Sequence, residues 1–70
     1  MYDYSKLRGI IKEKFNTIAN FANAIELSPT SVSKKLTNKI EWTQTEIDKA
    51  VFVLQISPQD ISKYFFCINN

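Results

Sequence analysis

The sequence predicts an all-α fold of five short helices, and three observations carry that expectation. Apolar residues recur at the i, i+3, i+4, i+7 spacing of an amphipathic helix in separate stretches, and no stretch keeps the two-residue period of a strand. Residues that cap helices (Asp3, Thr17, Ser28, Thr43, Ser57) stand just before those stretches, where short helices need them. Finally, 44% apolar residues with a single Gly and two Pro describe a regularly structured chain rather than a low-complexity or disordered one.

Taken in order, Leu7, Ile10 and Ile11 open the first helix, Asp3 is placed to cap it, and Phe15 ends its stripe one position late. Thr17 caps the second, whose face is Ile18, Phe21, Ala22 and Ile25. "SPTS" starts the third, with Ser28 as cap and Pro29 at the first helical position, where the missing N–H has no partner to lose. Only Val32 and Leu36, helped by the stem of Lys35, hold this helix inward, and Asn38, which tolerates the left-handed conformation, ends it. "TQTE" at 43–46 is a capping box, and Trp42 and Ile47 are spaced to close a hydrophobic staple around it. The fourth helix then carries Ile47, Ala50, Val51 and Leu54. "SPQD" at 57–60 begins the fifth, with Ile61, Tyr64, Phe65 and Ile68 on its face. The tail "YFFCI" reads either as the end of that helix or as an extended arm. The expected core is Leu7, Ile11, Phe21, Ala22, Ile25, Val32, Leu36, Ile47, Val51, Leu54 and Ile61.

Seventy residues make one domain, 1–70, near the lower size for folding without disulfides or metals. A lone Cys67 and the absence of His remove a disulfide framework and the usual zinc sites, so no metal or cofactor is expected. The longest apolar runs are five residues, against roughly 20 needed to cross a bilayer, and "MYDYSK" carries no signal-peptide pattern. The expected compartment is the cytoplasm, with no membrane partner and no small-molecule ligand. Without His, a Gly-rich phosphate loop or paired Cys, the inventory also offers no catalytic set. Charge is uneven: residues 1–40 hold seven basic and three acidic side chains, a net of +4, and residues 41–70 hold two and four, a net of −2. That asymmetry points either to a polyanion partner for the first half or to ordinary solvating charge.

About three residues separate the second helix from the third, too few for an antiparallel hairpin of useful length, which leaves the crossed arrangement of a helix-turn-helix. Ala22 then gives the third helix room to approach, and Leu27 fills the turn. The stretch "FANAIELSPTSVSKKLTN" resembles the helix-turn-helix of lambda-repressor-like (Cro and C1-type) regulators in its Phe21–Ala22 pair, its Leu27–Ser28 turn and its Val32, Ser33 and Leu36. The flanks "YSKLRGIIKEKFNT" and "EWTQTEIDKA" are similar to very short regulators of temperate bacteriophages, so the resemblance spans nearly the whole chain. Two positions depart from it. Glu26 stands where the family usually has Gly, and Asn38 replaces a Gly common after the third helix.

The resemblance implies a five-helix DNA-binding fold and a sequence-specific, Cro-like repressor occupying double-stranded operator DNA as a homodimer on an inverted repeat. The chain ends at Asn70 without the cleavage domain of damage-responsive C1 repressors, which favours the Cro side. Pro29, Thr30, Ser31, Ser33 and Lys34, on or beside the outward face of the third helix, are then the expected base-reading set. Thr17, Asn20, Asn38, Lys39, Thr43 and Gln44 are the expected phosphate contacts, although Thr17 and Thr43 are equally explained as caps. Phe52 and Phe66 lie off the core stripes and form either a dimer patch or extra core. The competing reading is a helix-turn-helix module that grips another regulator, which accounts for Glu26 at the turn and for the net-acidic second half.

Overall fold

The first four apolar stripes become helices that begin within one or two residues of the signals that announce them, and the fifth does so only in part. The computed structural model describes residues 1–68, and among them α1 spans Ser5–Phe15, α2 Ile18–Ala24, α3 Pro29–Leu36 and α4 Gln44–Leu54. A 3₁₀ turn, Pro58–Asp60, leads into α5, Ile61–Phe65. Thr17, Ser28 and Thr43 cap as their positions require: each side-chain oxygen accepts the N–H three residues on, from Asn20, Ser31 and Glu46 respectively. The capping box is complete, since the Glu46 carboxylate accepts the Thr43 N–H at 2.9 Å. Asp3 accepts from Ser5 N–H at 2.9 Å, one position before the formal cap, Tyr4.

The C-termini of α2, α3 and α4 share one solution. In each, the first or second residue after the helix takes a left-handed φ, 63° at Glu26, 64° at Asn38 and 57° at Gln55. The next residue's N–H then reaches back to a carbonyl in the last turn: Leu27 to Ala22 at 2.9 Å, Lys39 to Lys34 at 2.9 Å and Ile56 to Val51 at 3.1 Å. These are Schellman endings, normally the place of glycine. The one glycine, Gly9, lies inside α1 instead.

α1 packs against α2, α4 and α5, and α2 packs against α3. Leu7, Ile11, Phe21, Ala22, Ile25, Val32, Leu36 and Leu54 are buried, as the stripes require. Ile47, Val51 and Ile61, also expected in the core, are only partly buried and pack on its edge. Their places are taken by Ala50, Ile56, Phe65 and Tyr4. On the short α5, which ends at Phe65, it is Phe65 rather than Ile61 that plugs the core, meeting Trp42 edge-on with ring centroids 5.4 Å apart. Burial with Tyr2 and Glu41 nearby raises the Tyr4 hydroxyl above its ordinary pKa, burial being the larger cause.

The tail resolves as the extended alternative. Ser57 makes no side-chain cap bond, the first turn is 3₁₀, and after Phe65 the chain leaves the helix. Ile68 then forms an isolated antiparallel bridge with Tyr2, and Asp3 N–H donates to the Cys67 carbonyl at 2.7 Å. Residues 69–70, part of the same tail, lie outside the described residues. Among the described residues, no helix is long and apolar enough to cross a membrane.

Candidate interaction surface

Four residues, Ile25 to Ser28, connect α2 to α3. Ala22 is wholly buried and Leu27 half-buried. Glu26, the departure from glycine, projects from the turn and meets Lys49 of α4, Nζ to Oε1 2.9 Å. The hydrogen bond from Lys49, and then its charge, hold the Glu26 carboxyl below its usual pKa. The acid therefore helps tie the turn to α4.

With Val32 and Leu36 buried, α3 presents Pro29, Thr30, Ser33 and Lys34 to solvent. They border a shallow groove completed by Arg8 and Ile18. Ser31 is different. It is half-buried, and its hydroxyl accepts from Ser28 Oγ at 3.0 Å inside the cap. Four of the five residues expected to read bases thus share one exposed strip, and Ser31 belongs to the local framework.

Most of the residues expected on phosphates are engaged within the chain. Thr17 and Thr43 act as caps. Asn20 Nδ2 donates to the Phe15 carbonyl at 2.9 Å, closing the α1–α2 corner. Asn38 uses both ends of its amide on Tyr2, accepting from its N–H at 3.0 Å and donating to its carbonyl at 2.9 Å. Lys39 and Gln44 are exposed. No sequence signal linked Asn38 to Tyr2, because no local periodicity relates two residues 36 positions apart.

Lys35 supplies more than a stem. It is 5% exposed, its Nζ lies 2.7 Å from Glu46 Oε1 and 3.0 Å from the Glu41 carbonyl, and it sits 5.8 Å from the Trp42 ring centroid. Burial pushes the Glu46 carboxyl up, but bonds from Lys35 and the Thr43 N–H, with the Lys35 charge, outweigh it and leave the group below its ordinary value. One carboxylate thereby caps α4 and joins α3 to it.

Two apolar clefts lie on the surface. One, of about 500 Å³, lies beside the N-terminal segment and is lined by Tyr2, Trp42, Ile47, Phe65 and Phe66 among others. Phe66 stands edge-on to Tyr2 there, with centroids 6.0 Å apart. The other is bordered by Phe15, Ala24, Val51, Phe52 and Ile56, and Phe52 is 83% exposed. Phe52 and Phe66 therefore line different clefts, and neither joins the buried core.

A family model described as "Protein of unknown function (DUF739)" matches residues 1–67. The chain belongs to the DUF739 family. Among solved structures, the solution structure of the modulator of repression (MOR) of the temperate bacteriophage TP901-1 from Lactococcus lactis matches it with 57% identity and a TM-score of 0.81. That match covers 93% of this chain and 88% of the other. No curated protein matches.

These findings correct the functional expectation drawn from the sequence. A chain so similar to a modulator of repression is not to be read as the repressor itself, and double-stranded operator DNA bound by a homodimer is withdrawn as the partner of this DUF739 chain. The physical reason is that "FANAIELSPTSVSKKLTN" specifies a scaffold: two packed helices, a capped start to the second and an exposed polar face. Those requirements are the same whatever the face meets.

Proposed function

We propose that this chain modulates transcriptional repression by binding another regulator, with a lambda-repressor-like helix-turn-helix scaffold used for protein contact. The observation that carries the reading is the 57% identity to a phage modulator of repression over nearly the whole chain. The surface supports it. Asn20, Asn38, Thr17 and Thr43 are engaged internally, so of the six side chains expected on phosphates only Lys39 and Gln44 have no such engagement. Phe52, Ile40 and Phe66 are exposed, and aromatic and aliphatic anchors of that kind form the centres of protein interfaces. Such a modulator works where repressors do, in the cytoplasm of a bacterial host, and its action requires no catalysis.

The test mixes the protein with a helix-turn-helix repressor from the same genome. Calorimetry should give a saturable complex, and operator occupancy by that repressor should change when the modulator is added at physiological salt. By itself the protein should bind operator and scrambled duplex alike, no better than a generic basic peptide of equal charge. Selective operator binding by the protein alone, with no complex in the calorimeter, would return the chain to the DNA-binding class.

A further inference from the structure

We infer that the groove between α1 and α3 seats an acidic segment of the partner protein, in which two carboxylates flank an apolar side chain. This rests on the reading that the partner is a protein. Arg8 of α1 and Thr30, Ser33 and Lys34 of α3 line the groove, about 390 Å³ in volume, and Ile18, Pro29 and Leu36 are its apolar part. A smaller cleft of about 190 Å³ shares Arg8 and Ile18 with it and adds Lys12. The two linings together hold three cations and no carboxylate.

The fold does not answer those charges. Among the described residues the ion pairs are Lys35 with Glu46 and Lys49 with Glu26, whereas Arg8, Lys12 and Lys34 are exposed and belong to neither. Lys12 and Lys34 lie in the last turns of α1 and α3, where the helix dipole favours a cation. Arg8 has no such reason. It stands one turn before Lys12, and like charges four apart on a helix repel. A guanidinium fork matches a carboxylate with two parallel hydrogen bonds, and Lys34 and the hydroxyls of Thr30 and Ser33 supply donors for a second. A duplex backbone would also suit Arg8, but Thr17, Asn20, Asn38 and Thr43 are engaged within the chain, and the apolar part of the groove offers nothing to a phosphate. A polypeptide brings acid and apolar group together.

Arg8 is the only arginine, so one guanidinium Nε–H resonance reports on the groove. Titration with the peptide acetyl-Glu-Leu-Leu-Glu-amide at low salt should move that resonance and the amides of Thr30 and Ser33, saturably in the millimolar range. The analogue with Gln for both Glu, and the analogue with Gly for both Leu, should each bind at least about fivefold more weakly. An unmoved resonance, or equal binding by all three peptides, overturns the inference. Arg8→Gln and Lys34→Gln, with unchanged helical spectra, should each weaken binding to the repressor about tenfold, and Lys63→Gln, which removes the same charge elsewhere, should change it less than about twofold. If Arg8→Gln weakens binding to a scrambled duplex more than binding to the repressor, the groove belongs to nucleic acid and the inference fails. Unaltered repressor binding by Arg8→Gln refutes the seat and leaves the modulator reading intact. A wild-type chain that binds no repressor removes that reading, and the peptide titration still decides whether the groove takes an acidic segment.

Discussion

Glu26, Asn38 and Gln55 hold positive φ in a chain whose only glycine is elsewhere. The Cβ of an L-residue crowds its own carbonyl in that conformation, at a cost of roughly 1 kcal/mol per position. Glu26→Gly should therefore raise the thermal midpoint by several degrees, on the scale of roughly 4–8 °C for each kcal/mol in a domain of this size. Loss of the Lys49 contact subtracts from that gain, and 1 M salt, which screens the pair in the wild type and finds none in the variant, should widen the difference. Asn38 differs because its side chain also holds Tyr2. Asn38→Ala should cost about 2 kcal/mol in urea unfolding, from two hydrogen bonds and the left-handed backbone together. Asn38→Gly should recover about half of that, since it relieves the backbone without restoring the bonds. Equal losses in the two variants would show that the backbone contributes nothing.

At the scale of elements, α1 is weakened at its centre. Gly9 is exposed and helical, and a Cβ added there meets nothing within 4 Å. Gly9→Ala should stabilise the protein by about 0.5–1 kcal/mol through backbone entropy alone, visible as a higher urea midpoint with an unchanged slope. The contact between α3 and the start of α4 depends instead on charge, because Lys35 and Glu46 meet where α3 has few other anchors. The folded Glu46 pKa is below its ordinary value of 4.5, so in acid the unfolded chain binds the proton first. The stability this group supplies is complete above about pH 4.5 and is lost as pH falls through the lowered folded value. Asp3 and Glu26 act in the same direction. Unfolding midpoints measured between about pH 3 and 6 should fall on the acid side, and Glu46→Gln should be less stable at neutral pH with a shallower acid slope.

Across the whole molecule, the two ends of the described chain close on each other. Tyr2 is bridged to Ile68, Asp3 is bonded to Cys67, and the Tyr2 ring lies between those of Tyr4 and Phe66. The segment also forms one wall of the Trp42 cleft. Removing residues 1–3 should leave the helical spectrum of α1 to α4 nearly unchanged while loosening the tail. Amide hydrogen exchange should then quicken selectively at Phe66, whose N–H bonds the Ser62 carbonyl, and should hold at Leu54 in the core. Uniformly faster exchange would mean that the closure supports the entire fold.

The sequence by itself determined the all-helical architecture, the starts of α2, α3 and α4 and most of the buried set, because caps and 3.6-residue stripes act between near neighbours and are written locally. Val32 and Leu36 pointing inward fixed which face of α3 is exposed. Tertiary structure decided whatever depended on residues distant in the chain. Asn38 was free to seek a phosphate until Tyr2, 36 residues away, took its amide. Lys35 looked like a stem until Glu46 and the Glu41 carbonyl surrounded its head. Phe52 and Phe66 shared an off-stripe pattern, yet packing assigned them to separate clefts. The partner class was the least legible of all. A capped turn between two packed helices satisfies the same packing and backbone requirements whether the exposed face meets DNA or protein, so local residue patterns carry the scaffold and leave its occupant open.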